Sequence, residues 1–269
     1  MLPHPTIDKL YALRLHGMLR GLQEQQAMQG ADQLCFEERL GLLVDRETMD
    51  RENRRAAQRL KKAHLRHDAA IENLDFRHPR GMDKSLILSL ASCQWIRNRD
   101  NCAITGPTGV GKSYLACALA QKACREGFSV LYARTTRLLQ DLALARAEGT
   151  YNRRLFELAK TDLLVLDDWA MAPLTDQHRR DLFEIFEDRY DRHSTLVATQ
   201  VPIENWHESI GDPTLADALL DRLVHNAHKI RLKGESMRKH RMQQEPQFQP
   251  PDSASTGPLA VETAAPSGA

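Results

Sequence analysis

Gly106-Pro-Thr-Gly-Val-Gly-Lys-Ser113 is the stretch on which the fold turns. It satisfies G-x-x-x-x-G-K-[ST] at every fixed position. An apolar run, Cys102-Ala-Ile-Thr, leads into it, and Lys112 to Glu126 has the pattern of a helix that Gly127 ends. Strand, glycine-rich turn and helix in that order make a phosphate cradle: the turn's N–H groups point inward and the helix adds its positive end. The expected cofactor contacts are Gly106, Pro107, Thr108, Gly109, Val110, Gly111, Lys112 and Ser113. Lys112 is placed to reach the β- and γ-phosphates, and the Ser113 hydroxyl to ligate a metal. The sequence predicts a site for ATP and Mg2+.

Downstream, strands and helices alternate. Phe128-Ser-Val-Leu-Tyr reads as a second strand, Thr136 to Glu148 as a leucine-striped helix, and Leu163-Leu-Val-Leu as a central strand apolar on both faces. Asp176 is read as the cap of a helix through Tyr190; Thr195-Leu-Val-Ala-Thr is a fourth strand and His228-Lys-Ile-Arg-Leu a fifth. This alternation predicts an α/β fold, a parallel sheet flanked by helices.

Two strand ends carry further chemistry. Asp167 follows the apolar run Leu163–Leu166, where a Walker B carboxylate holds the metal through water. Asp168 stands where many such ATPases place a glutamate that orients the attacking water; here the side chain is one carbon shorter. Gln200, then Thr199, is the expected γ-phosphate sensor at the end of the fourth strand.

Upstream, residues 1–74 read as an all-helical domain. Ile7, Leu10, Tyr11, Leu15, Met18 and Leu22 recur at helical spacing behind Thr6 as cap. Gln29-Gly-Ala-Asp breaks that helix, and a second starts near Phe36 with an apolar stripe of Leu40, Leu43 and Val44. It continues into a basic run: Arg51, Arg54, Arg55, Arg59, Lys61, Lys62 and Arg66. With Lys229-Ile-Arg-Leu-Lys-Gly-Glu-Ser-Met-Arg-Lys-His-Arg, it is one of two basic clusters suited to phosphate neutralisation and salt-sensitive, sequence-independent DNA contact. Residues 75–243 form the ATPase domain on this reading. Residues 244–269, rich in Pro, Ser, Ala and Gln, are expected to be disordered.

Composition excludes other classes. The chain has 269 residues and a net charge of +1, so a DNA-binding surface must come from local clustering. Five cysteines without a CxxC read as small buried hydrophobes in a reducing compartment. His64 and His67 read as solvated side chains rather than metal ligands. No signal-peptide pattern or long apolar run occurs, so the chain is read as a soluble cytosolic protein.

With these elements in order, the chain resembles the AAA+ ATPases, and more specifically the IstB-like transposition helpers, relatives of the DnaC helicase loaders. The residues that carry the resemblance are Leu13-Arg-Leu-His-Gly-Met, Phe36-Glu-Glu-Arg-Leu, Asp75-Phe-Arg-His-Pro-Arg-Gly-Met-Asp-Lys, the P-loop through Ala116, and Gln200-Val-Pro-Ile-Glu-Asn-Trp-His. Most specific are Ala218-Leu-Leu-Asp-Arg222-Leu-Val-His and Leu232-Lys-Gly-Glu-Ser-Met-Arg238. The resemblance implies self-assembly on double-stranded DNA in the ATP state, with ATP sites at subunit interfaces, and stimulation of a DDE transposase. It implies Arg222 as an arginine finger acting on a neighbour's site, and Arg238 as a second sensor in cis. A helicase loader shares the ATPase core and is the nearest alternative. A P-loop small-molecule kinase would need an arginine-rich lid, and an ATP-binding scaffold without turnover would suit the aspartate at 168.

Overall fold

The computed structural model describes residues 5–30, 33–78 and 80–237. Residues up to Ser236 form one compact unit. The expected tail at 244–269 and Arg238 lie outside the described residues.

The N-terminal helices are α1 (Pro5–Ala12), α2 (His16–Ala27) and α3 (Phe36–Ala63). One helix through Leu22 was expected; the structure has two. Arg14 adopts φ 58°, and the N–H groups of Leu15 and Arg14 donate to the carbonyls of Leu10 and Tyr11. That pattern closes a helix. α2 then restarts at an angle that lets Gly17 touch α3, where a Cβ would lie 2.6 Å from the Glu47 Cα. Glu47 caps α2 from across the contact: one carboxylate oxygen accepts from the N–H groups of Gly17 (2.7 Å) and Met18 (3.2 Å). The expected apolar stripe on α3 is not buried. Leu43 is half-buried, while Leu40 and Val44 stay exposed beside Phe36.

α3 ends by docking on the remaining fold, α4 (Lys84–Ala91) and α5 (Gln94–Arg97), β1 (Asn101–Thr105), α6 (Lys112–Arg125), β2 (Val130–Arg134), α7 (Thr135–Ala147), α8 (Tyr151–Lys160), β3 (Leu163–Asp167), α9 (Asp176–Arg189), β4 (Ser194–Thr199), α10 (Trp206–Ile210), α11 (Pro213–Val224) and β5 (Ala227–Arg231). The described strands make a five-stranded parallel sheet in the order β2-β3-β4-β1-β5. Alternation along the strands splits the core in two. Cys102, Ile104, Leu163, Val165 and Leu196 face a cluster with the end of α3, α4 and α6; Ala103, Leu164, Leu166 and Val197 face one built from α7 to α11.

Two boundaries differ from expectation. β2 starts at Val130, not Phe128, because the Ser129 N–H and hydroxyl both bond the Asp162 carboxylate before the ladder begins. α9 is capped by Thr175, not Asp176: the threonine oxygen accepts from the His178 N–H at 3.2 Å, and Asp176 is the first helical residue.

Candidate nucleotide site

All parallel strands end on one edge, and there the sheet register gathers the expected groups. Thr105 pairs with Thr199, and Asp167 with Ala198 one strand further on. The P-loop leaves from Thr105 and enters α6 at Lys112, so Ser113 stands in the helix's first turn. Its glycines adopt positive φ: 151° at Gly106, 85° at Gly109 and 99° at Gly111. The segment after β5 crosses the loop closely. A Cβ on Gly106 would lie 2.4 Å from the Leu232 carbonyl oxygen, and one on Gly109 would lie 2.1 Å from the Ser236 hydroxyl. Lys112 donates to the Pro107 carbonyl at 2.8 Å, arching over the loop.

Asp167 is buried. Its Oδ2 accepts from the Tyr132 hydroxyl of β2 at 2.6 Å, and its Oδ1 from the Asp168 N–H at 3.0 Å. Arg66 approaches Oδ2 to 3.7 Å. Burial, then the hydrogen bond to Asp167, pushes the Tyr132 hydroxyl upward, so Tyr132 remains a donor. Asp168 sits at φ 56°, half-exposed, with Arg134 3.9 Å from its carboxylate. The donor set suits a magnesium ion that arrives with nucleotide. Such an ion takes one or two protein groups and completes its shell with phosphate oxygens and water. No cluster of three His, Cys, Asp or Glu forms a protein cage among the described residues.

The two sensor candidates part company. Gln200 is exposed and accepts from the Thr108 hydroxyl of the P-loop at 2.5 Å. Thr199 is buried, donates to the Trp169 carbonyl and accepts from the Val201 N–H at 3.1 Å. Its hydroxyl ties the ends of β3 and β4 together.

Arg222 lies elsewhere. It is in the last turn of α11, and its carbonyl accepts from Asn101 at the start of β1, the sheet edge opposite the P-loop. Its guanidinium pairs with Glu187 and lies over Phe183 and Tyr190, 5.1 and 5.9 Å from their ring centres.

The basic run on α3 is also sorted. Arg51 and Arg54 pair with Glu47 and Asp50, and Arg59 donates to the Cys124 carbonyl at the end of α6. Arg66 turns into the nucleotide site. Arg55, Lys61 and Lys62 remain on the exposed face. His64 is exposed as expected, whereas His67 is half-buried near the Tyr114 ring. Cys93, Cys102, Cys117 and Cys124 are buried, and burial pushes the Cys102 thiol up to about 12; Cys35 is exposed.

Sequence reading missed Arg66 and Tyr132 as site residues, and also Arg80. The Arg80 guanidinium is buried, donates to the Val110 carbonyl at 3.3 Å and to the Asp75 carbonyl, and would stand 3.0 Å from a Cβ on Gly111. The segment Asp75-Phe-Arg-His-Pro-Arg carries part of the family resemblance, but nothing in its spacing says it backs the P-loop.

The IstB-like ATP binding protein family matches residues 8–245. The chain belongs to that family. An insertion-sequence ATP-binding protein of Sinorhizobium fredii is 52% identical over 89% of this chain and 98% of its own length. The insertion sequence IS21 ATP-binding protein of Pseudomonas aeruginosa is 32% identical over 86% of each chain. Among solved structures, the DnaC helicase loader covers 60% of this IstB-like chain and 96% of its own, with a TM-score of 0.50 and 21% identity. DnaA bound to AMPPCP and single-stranded DNA has a TM-score of 0.53 at 18% identity, covering 67% of this chain and 56% of its own. These structures share the AAA+ fold with the IstB-like chain. No described helix is long and apolar enough to cross a membrane.

Proposed function

We propose that this IstB-like protein is a magnesium-dependent ATPase that assembles on duplex DNA and recruits and stimulates a DDE transposase. The observation that carries the reading is the separation of Arg222 from its own P-loop. They stand at opposite ends of β1, a strand of five residues, which is roughly 17 Å. An arginine so placed serves a neighbouring protomer's phosphates, so nucleotide joins subunits. Relatives encoded in insertion sequences support transposition as the setting over helicase loading.

In this mechanism the P-loop N–H groups and Lys112 hold the phosphates. A bound magnesium ion would supply positive charge to the phosphates. Ser113 and Asp167 are the residues that would hold it, and Gln200 reads the γ-phosphate from the loop's edge. Asp168 orients the attacking water. Arg222 of the adjoining subunit spreads its charge over the transferring group, for which a guanidinium is suited. Loss of the γ-phosphate removes that contact and loosens the assembly, so ATP and DNA strengthen each other's binding. The family resemblance assigns Arg238 the role of a second sensor in cis.

Residues 1–74 act as the contact arm, 75–243 as the ATPase and 244–269 as a tail. Arg55, Lys61 and Lys62 supply DNA-backbone contact, and the exposed apolar residues Phe36, Leu40 and Val44 offer the arm's surface to the transposase. The test is binding to several unrelated duplexes with ATP at two salt concentrations. Affinity should fall steeply with salt, hardly vary with sequence, and lose about three units of salt slope in an Arg55/Lys61/Lys62→Ala protein. Lys112→Ala should abolish nucleotide-dependent binding. Affinity indifferent to salt would sink the DNA reading.

A further inference from the structure

Asp167 is 1% exposed at its side chain. A carboxylate that deep needs a counter-charge, and leaving it unpaired is costly. Arg66 supplies one, with Nη1 3.7 Å from Oδ2. The backbone behind Arg66 is fixed. α3 ends at buried Ala63, His64 turns in a left-handed conformation, Leu65 packs on the core, and backbone hydrogen bonds from His67 and Arg66 reach the Cys117 thiol on α6. The side chain is not fixed in the same way. It is 33% exposed, and its contact with the carboxylate is longer than that of Tyr132.

Two cations cannot both lean on one buried carboxylate without repulsion. We propose that Arg66 is the resident counter-ion of Asp167, displaced when magnesium and nucleotide arrive, and that it thereby sets the magnesium concentration at which nucleotide binds. This rests on the magnesium–ATP reading of the site. Tyr132 stays in place through the exchange, because it bonds the carboxylate without adding charge. Arg66 is a positioning residue in this scheme: it keeps the empty site neutral and yields to the metal. Its place in the basic run is then incidental to DNA.

The experiment is binding of a fluorescent ATP analogue to the full chain across a magnesium titration, in wild type, Arg66→Gln and Arg66→Lys. Arg66→Gln should lower the half-saturating magnesium concentration three- to tenfold, roughly what removal of one nearby partly solvated charge produces. Arg66→Lys should stay within about twofold of wild type, since it keeps the charge. Melting in EDTA gives a second readout: Arg66→Gln should melt below wild type without metal, with the gap closing in magnesium and nucleotide. An unchanged or raised magnesium requirement in Arg66→Gln overturns the proposal. If Arg66→Gln does not fold, a tenfold change in Arg66→Lys overturns it equally. Wild-type nucleotide binding that ignores magnesium, or survives Lys112→Ala, overturns the site reading instead.

Discussion

At the scale of single residues, the P-loop glycines carry different duties. Gly106 has both an unusual φ and no room: a Cβ would lie 2.4 Å from a backbone oxygen of Leu232. Gly127 has φ 101° and nothing within 4 Å of a Cβ. Gly106→Ala should therefore cost about 3 kcal/mol and weaken ATP binding at least tenfold, because the segment after β5 must move. Gly127→Ala should cost only about 1–2 kcal/mol of conformational strain and leave ATP affinity unchanged. Thermal melts with and without nucleotide separate the two. The placement of Lys112, Ser113 and Asp167 at one edge of the sheet was legible in the sequence because short motifs fix their local geometry. Arg66, Tyr132 and Arg80 were not, because each meets the site through a partner remote in sequence. Arg66 was even assigned to DNA, since a run of positive charge says nothing about which member turns inward.

At the scale of elements, the strand–helix alternation was legible from periodicity and glycine placement, and the sheet follows from it. The arm was harder. A continuous helical pattern from Ile7 to Leu22 hid the reversal at Arg14, where the backbone rather than the apolar spacing ends the helix. Among the contacts that seat α2 on α3, alongside the Arg20–Asp50 and Arg46–Glu24 pairs, the buried one is the Glu47 carboxylate. Burial raises its pKa, but hydrogen bonds from Arg51, Met18 and Gly17 outweigh that, and the net shift is downward. A depressed folded-state pKa gives stability that is present above the unfolded value and lost as pH falls through the folded one. The α2–α3 contact should therefore weaken as pH drops below about 4.5. Glu47→Gln should cost about 1–2 kcal/mol at neutral pH and flatten that dependence. Hydrogen exchange at the Gly17 and Met18 amides reads both effects.

At the scale of the whole molecule, the proposed function makes the site complete only between copies. Arg222→Ala and Asp168→Asn should each lower hydrolysis by on the order of a thousandfold. Mixed together they should recover part of it, since some interfaces set an intact Asp168 against an intact Arg222. Single-turnover hydrolysis with DNA measures this, and no recovery at any ratio counts against a shared site. Glu187, Phe183, Tyr190 and the Ala218 carbonyl of its own helix meanwhile hold Arg222 at the far edge of the sheet, so reaching a neighbour means leaving these contacts.

α3 is one unbroken helix of 28 residues, about 42 Å from end to end. Its N-terminal half is seated against α2, with Glu47 near the middle of the rod capping that helix, and its C-terminal end is tied to α6 through Arg59. Such a rod transmits angle as well as distance. Each residue inserted near Arg55 would rotate the arm by about 100° against the ATPase, and two would swing the Phe36–Val44 stripe to the far side. Seven would lengthen the reach by about 10 Å yet restore the heading to within roughly 20°. The bearing of the arm is thus written as a count of residues, and it is the phase of that count, more than its length, that the partner has to match.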